Sequence, residues 1–364
     1  MSADLLTPLW HPDAALPHLD AQGWERLLRQ ARLGALVPRV AMRFDTQGGL
    51  GRLPDGPRHH LENGLRLAQR QVQAVRWEVE RIRRAVAPTG TPVVLLKGAA
   101  YLLAGLPAAQ GRLFADIDIL VPRDRLEIVE VALLGAGWVS RERDRYNQRY
   151  YRVWMHELPP LEHVKRSTVI DVHHTITPPT SSFNVDGRLL LAQSRPLAGH
   201  EGLAVLQPVD MLLHSMVHLF QEGDFDHGLR DLIDMHALLV HFEAQDTGFW
   251  PQLTARARQL GLGVPLVQAL DHVASGQVWV GESLLSRLLS DVTRRLEPKA
   301  GWESTLTSRE VEVAQRASLG HSNQLIANDL GITERTVRAH LQAVFEKLNV
   351  TDRLMLALKV HGIA

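Results

Sequence analysis

The chain has 364 residues, of which 45% are apolar, with 40 basic and 40 acidic side chains balancing to zero net charge and no cysteine. That length predicts two or three domains of an ordinary globular protein. Neutrality argues against a broad electrostatic grip on nucleic acid or membrane, and the lack of cysteine excludes disulfides, thiolate nucleophiles and zinc–cysteine sites.

Met1-Ser-Ala-Asp4 has no basic stretch followed by an apolar core, so no secretion signal is expected. Uninterrupted apolar runs fall short of the ~18 residues a membrane helix needs. A cytoplasmic protein with no membrane partner is expected. Residues 1–88 read as a helical N-terminal region. Within it, Leu65, Ala68, Val72, Val75, Val79 and Ile82 recur at helical spacing and predict an Arg-rich amphipathic helix from Leu61 to Val86. Its arginines read as a solvated face. Pro88-Thr-Gly-Thr-Pro92 ends it. The second expected domain is 89–296, with β-rich runs at Val93–Leu96, Ile117–Val121 and Val169–Val172. From Pro208 to about Arg295 the pattern is helical again, Glu297–Gly301 reads as a linker, and 302–364 is the third domain. The expected fold class is α+β, a mixed sheet with helical flanks, plus an all-α C-terminal domain.

The middle domain carries the candidate chemistry. Val93–Leu96 is a buried strand that runs into a Lys97-Gly98 corner. Asp116 and Asp118 alternate with Ile117 and Ile119, so both carboxylates share one strand face. Adjacent carboxylates repel unless a cation lies between them, and a hard divalent ion such as Mg²⁺ is the natural occupant. Asp171 has the same strand setting, and three acids near a glycine corner suit two-metal phosphoryl transfer. Other readings stay open: Asp116 and Asp118 as a solvated strand face, Arg112 as a surface residue or a partner of Asp116. His173, His174 and the i,i+4 pair His214 and His218 could be transition-metal ligands. Without the Glu of a zinc-protease motif they read as structural histidines. Arg230, Asp231 and Asp234 read as helix-surface or interdomain pairs.

Leu96-Lys-Gly98, Asp116-Ile-Asp118 and Asp171 resemble the nucleotidyltransferase superfamily. With Arg112, Ile170-Asp-Val-His173, Asp210-Met-Leu-Leu-His214, His218 and Leu229-Arg-Asp-Leu-Ile-Asp234, they resemble its poorly characterised bacterial group. Toxin-type members of abortive-infection systems carry a similar signature. The resemblance implies that Asp116 and Asp118 hold Mg²⁺, and that Asp171 completes the metal site or acts as base. It further implies that the Gly98 backbone approaches the triphosphate of an NTP and that Lys97 and Arg112 neutralise phosphate. A nucleoside monophosphate would be transferred and pyrophosphate would leave. Gly98-Ala99 departs from the Gly-Ser or Gly-Gly of most active members, which removes a hydroxyl donor.

The C-terminal domain shows four helix starts. Thr307 and Glu310 form a capping box before Val311 and Ala314. Ser322 caps Asn323–Asp329, with Ile326 and Leu330 pointing inward, and Gly331 follows as a left-handed stop. Thr333 caps a third helix with apolar Val337, Leu341, Val344, Phe345 and Leu348, and Thr351 caps a fourth. Two helices around a short Gly-containing turn form a helix-turn-helix. Leu306-Thr-Ser-Arg-Glu310, Ser322-Asn-Gln-Leu-Ile-Ala327, Thr333-Glu-Arg-Thr-Val-Arg-Ala-His340 and Lys347-Leu348 resemble the LuxR-type domain. The resemblance implies that Thr333–Glu346 is the recognition helix. Thr336, Val337, Arg338 and His340 would face base edges or phosphates of double-stranded DNA, and Arg335 and Lys347 would meet its backbone. Gln324 stands where many members carry Lys. Seven basic and seven acidic residues lie between Gly301 and Ala364. A neutral domain binds phosphates weakly as a monomer, so a homodimer on DNA is expected. Two functions follow: a DNA-binding transcriptional regulator with a nucleotide-sensing domain, or an active nucleotidyltransferase that uses the helix-turn-helix for localisation or autoregulation.

Overall fold

The computed structural model describes residues 16–142, 144, 151–152, 155–178, 181, 184–221, 228–262, 302–318, 321, 323–350 and 353–360. The expected linker at 297–301 and the expected caps Ser322 and Thr351 lie outside the described residues. The chain divides into two compact units, residues 1–219 with 227–263 and residues 220–226 with 264–364. No helix among the described residues is long and apolar enough to cross a membrane.

The first unit opens with three helices, α1 (Ala21–Leu33), α2 (Val37–Thr46) and α3 (Asp55–Val86). Asp20 caps α1 by accepting from the Gly23 amide at 2.8 Å. The long helix α3 begins before the expected Leu61, because Pro54 and Asp55 supply a rigid entry and a first-turn acid, and Pro57 is tolerated in a first turn. Its buried stripe is Leu61, Ala68, Val75, Val79, Ile82 and Val86. The helix is not solvated all round otherwise: Glu78 is buried and pairs with Arg166 at 2.5 Å. Trp24, Leu27, Leu28, Val40, Phe44 and Leu61 form a core cluster with Ile233.

A seven-stranded mixed sheet follows, built from β1 (Val93–Leu95), β2 (Asp116–Leu120), β3 (Trp138–Ser140), β4 (Leu161–His163), β5 (Val169–His173), β6 (Arg195–Pro196) and β7 (Leu203–Val205). Its order is β3-β4-β5-β2-β1-β7-β6. Strand β2 is central, antiparallel to β1 and parallel to β5. Interspersed are α4 (Lys97–Leu103), α5 (Leu126–Gly135), α6 (Gly187–Ala192), α7 (Pro208–Gln221), α8 (Gly228–Gln245) and α9 (Phe249–Gln259). The fold is α+β, as the separation of the β-rich stretch from the helical stretches on either side implies. The expected strands are displaced by one residue at most at either end, within the usual uncertainty of element boundaries.

The second unit holds α10 (Ser308–Ser318), α11 (Asn323–Leu330), α12 (Glu334–Leu348) and α13 (Arg353–Val360). Thr307 donates its amide to Glu310 Oε2 at 2.7 Å, and the Glu310 amide donates to Thr307 Oγ1 at 3.3 Å, closing the capping box. Gly331 takes a φ of +63°, the left-handed turn between α11 and α12 that an L side chain strains to adopt. Thr333 Oγ1 accepts from the Thr336 amide at 3.1 Å and starts α12. Val313, Ala314, Ile326, Val337, Val344 and Val360 lie in the shared core.

Candidate functional site

The register of β2 against β5 builds the site. Asp118 pairs with Asp171 and Asp116 with Val169, so the side chains of Asp116, Asp118 and Asp171 project from one face of two neighbouring parallel strands. Asp118 is 4% exposed, which removes the reading as a solvated strand face for Asp118, while Asp116 keeps an exposed position. Burial opposes the charge on Asp118, but Lys97 and His173 outweigh it and hold its carboxyl well below the usual carboxylate range. Asp116 opens to solvent at the strand's start, yet the surrounding protein desolvates its carboxyl and Asp118 adds a like charge, so it is raised. Burial and the charges of Glu157, Asp116 and Asp118 push Asp171 well above the ordinary range. Asp171 Oδ1 is buried with no hydrogen-bond partner. A buried oxygen without a donor, beside two more carboxylates, fits a hard divalent cation.

The corner residues behave differently from expectation. Lys97 takes a φ of +44°, a region sparsely used by residues other than Gly. Its Nζ lies 3.0 Å from Asp118 Oδ1, so its charge is directed at a carboxylate of the site. Arg112 is buried and donates from Nε to Asp234 Oδ2 at 2.8 Å. Arg39 donates to the other oxygen, Asp234 Oδ1. A Cβ at Gly98 would lie 2.5 Å from Arg112 Nη1, so the glycine makes room for this guanidinium. The Arg112 side chain is thus committed to Asp234, and the reading of Asp234 as a helix-surface pair is corrected: it is 3% exposed and joins two arginines. Arg230 and Asp231 do pair along α8, at 2.9 Å.

The histidines around the acids are buried, and His156, Glu157 and His173 form a cluster of which sequence reasoning named His173 alone. His173 Nε2 donates to Asp118 Oδ1 at 3.1 Å, while His173 Nδ1 lies 3.3 Å from Glu157 Oε2. His156 stacks on His173 with ring centroids 5.2 Å apart. A signal for His173 existed: it lies two residues after Asp171 on one strand and shares its face. Glu157 had none, since only an isolated bridge to His173 brings it there. His214 and His218 meet edge to face, with centroids 6.5 Å apart. Burial lowers His156 and His214 well below the usual histidine value, and both are neutral at pH 7.

In the second unit, α12 carries the expected DNA-facing residues. Arg335, Thr336, Arg338 and His340 lie partly exposed on it. Val337 is corrected: it is 0% exposed and packs in the core, because Leu341 and Val344 continue its helical stripe inward. Lys347 Nζ lies 2.7 Å from both Glu310 oxygens, so its charge supports the capping box rather than standing apart for a phosphate. Arg309, Arg316 and Arg353 likewise donate to carbonyls within the unit. Burial lowers His340, leaving the neutral imidazole dominant at pH 7.

Residues 20–275 match the family model described as an uncharacterised nucleotidyltransferase. Residues 304–360 match the model for bacterial regulatory proteins of the luxR family. Among curated proteins, the chain is 30% identical over 102 residues to a glycerol metabolism activator of Pseudomonas putida, covering 27% of this chain and 46% of that protein. It is 36% identical over 88 residues to a probable transcriptional regulatory protein NarL of Mycobacterium tuberculosis, covering 24% and 39%. It is 32% identical over 103 residues to the transcriptional regulatory protein DegU of Brevibacillus brevis, covering 24% and 43%. The chain therefore spans less than half the length of these relatives. No solved structure matches it.

Proposed function

The chain belongs to the uncharacterised nucleotidyltransferase family, and from that premise we propose that it is a DNA-binding transcriptional regulator whose nucleotidyltransferase-like part binds an NTP with Mg²⁺. The observation that carries the DNA-binding half is the complete helix-turn-helix, with its closed capping box, the left-handed Gly331 turn and the Thr333-capped α12, inside a luxR-family match. In this reading the working parts are a helical region at 1–88, the nucleotidyltransferase-like domain at 89–296 and the DNA-binding domain at 302–364. Arg335, Thr336, Arg338 and His340 meet DNA. The protein acts in the cytoplasm as a homodimer, because balanced charge in the C-terminal unit leaves each copy too few phosphate contacts alone.

Asp116, Asp118 and Asp171 hold Mg²⁺, which supplies positive charge against the triphosphate. Lys97 neutralises Asp118 until the cation arrives, and the Gly98 backbone borders the phosphates. Arg338→Ala is expected to weaken binding to an operator duplex by about 5- to 150-fold, the loss of one base contact of about 1–3 kcal/mol. An unchanged gel shift would remove α12 from the interface. Calorimetric titration with each NTP in Mg²⁺ is expected to give heat for at least one nucleotide and none for Asp116→Ala. Silence from every NTP with the parent protein would leave the domain as a scaffold without a nucleotide.

A second reading, an active nucleotidyltransferase, is favoured by the shared face of the three carboxylates. There Asp171, its pKa raised, takes the proton of an acceptor hydroxyl on a protein, RNA or small molecule. It expects NTP-dependent pyrophosphate release that Asp118→Ala abolishes.

A further inference from the structure

His173 has one ring nitrogen engaged and the other facing an acid. Nε2 donates to Asp118, and Nδ1 lies 3.3 Å from Glu157 Oε2, buried and with no hydrogen bond formed. An imidazole nitrogen and a carboxylate oxygen at this spacing are the donor pair that a metal ion bridges. Glu157 is held there by its bridge to His173 and by the Leu158 amide, which donates to Val172 O at 2.9 Å. The adjacent His156 is 6% exposed and sets its Nε2 4.0 Å from Glu157 Oε2, and His173 is 2% exposed with its Nδ1 buried and without a hydrogen-bond partner. One donor atom each from His156, Glu157 and His173 lie within 4.8 Å of one another.

We propose that His156, Glu157 and His173 form a second cation site, distinct from the Asp116, Asp118 and Asp171 face, that takes a divalent transition ion of the Zn²⁺ class. Two imidazole nitrogens and one carboxylate oxygen suit Zn²⁺ or Co²⁺, whereas Mg²⁺ prefers oxygen alone. Bonds of about 2.0–2.2 Å to one ion bring tetrahedral ligands to roughly 3.3–3.6 Å apart, so small side-chain rotations from the present spacing close the site. Three protein ligands leave the fourth position to water. Asp118 completes the arrangement from outside, since a carboxylate that accepts from the far nitrogen of a ligating imidazole fixes its tautomer and strengthens it as a donor. The coupling also runs the other way. An ion on His173 Nδ1 makes Nε2–H a stronger donor and holds the Asp118 carboxylate in place beside Asp116 and Asp171. The ion is therefore a positioning element for the carboxylate face, and its binding does not require that a nucleotide bind.

The test uses the full chain stripped by a chelator and titrated with Co²⁺, read by visible d–d absorption. One equivalent is expected to produce the band, Zn²⁺ to displace it, and excess Mg²⁺ to leave it. His156→Gln and Glu157→Gln are each expected to weaken Co²⁺ binding by at least about tenfold, while Asp116→Asn keeps it. Circular dichroism establishes that each variant is folded; should His156→Gln not fold, Glu157→Gln decides, together with the rise in melting temperature that Zn²⁺ gives the parent protein and not this variant. A folded parent protein that gives no band overturns the site. A band that survives Glu157→Gln, or vanishes in Asp116→Asn, overturns it in favour of surface histidines or of the carboxylate face.

Discussion

Asp234→Ala is expected to destabilise the first unit by about 3–5 kcal/mol, the cost of stripping the partner from a buried ion pair. Asp234 is 3% exposed and accepts from Arg39 at one oxygen and from Arg112 Nε, at 2.8 Å, at the other. Truncation leaves two buried guanidiniums without the carboxylate they share. Arg39 keeps backbone acceptors, Ala108 O and Gln110 O at 3.2 Å for the second, but these carry no full charge. Chemical unfolding followed by tryptophan fluorescence measures the loss, and Asp234→Asn, which retains an acceptor, is expected to fall between the two. A loss under about 1 kcal/mol would mean that the arginines find other partners. The effect reaches the candidate site, because Arg112 packs where a Gly98 side chain would stand and Lys97 precedes that glycine.

Asp171→Asn is expected to do two opposite things: abolish NTP–Mg²⁺ binding and make the ligand-free protein more stable at pH 8, by about 1 kcal/mol. Asp171 is pushed up by burial and by Glu157, Asp116 and Asp118. Between the unfolded value of about 3.9 and the raised native one, the folded chain holds more protons than the unfolded chain. Stability therefore falls as pH rises through that window, and the deficit is fully present above it. Asn removes the deficit. Asp118 runs the other way: its carboxyl is lowered, so its contribution is present above about pH 3.9 and lost as pH falls through the native value. Thermal melts of both proteins at pH 5 and pH 8, paired with calorimetry, decide the matter. A variant that melts lower than its parent at pH 8 would show that Asp171 is stabilised by contacts rather than strained by burial and like charge.

Much of this was legible from periodicity. Alternation along Asp116-Ile-Asp118-Ile119 and Val169-Ile-Asp171-Val172 identified two strands and put their acids on one face, and the register of β2 against β5 joined them. The helix-turn-helix was legible because its caps are local: Thr307 with Glu310, and Thr333 with Thr336, are each three residues apart. Val337 shows the limit of assigning roles by motif position, since the same helical period that marks α12 also turns this residue inward.

By itself, then, the sequence determined the α+β class, the carboxylate strand pair and the capped C-terminal helices, because side-chain alternation, helical period and capping act over a few residues. Only the tertiary structure decided which charges are spent and on what. Arg112 finds Asp234 across 122 positions of chain, and Arg39 finds it across 195. Lys97 turns to Asp118 from 21 positions away, and His173 reaches it from 55. Such pairs are set by how α2, α8 and the sheet pack and exclude water, which makes an unpaired charge too costly to leave. No spacing in the sequence encodes that choice.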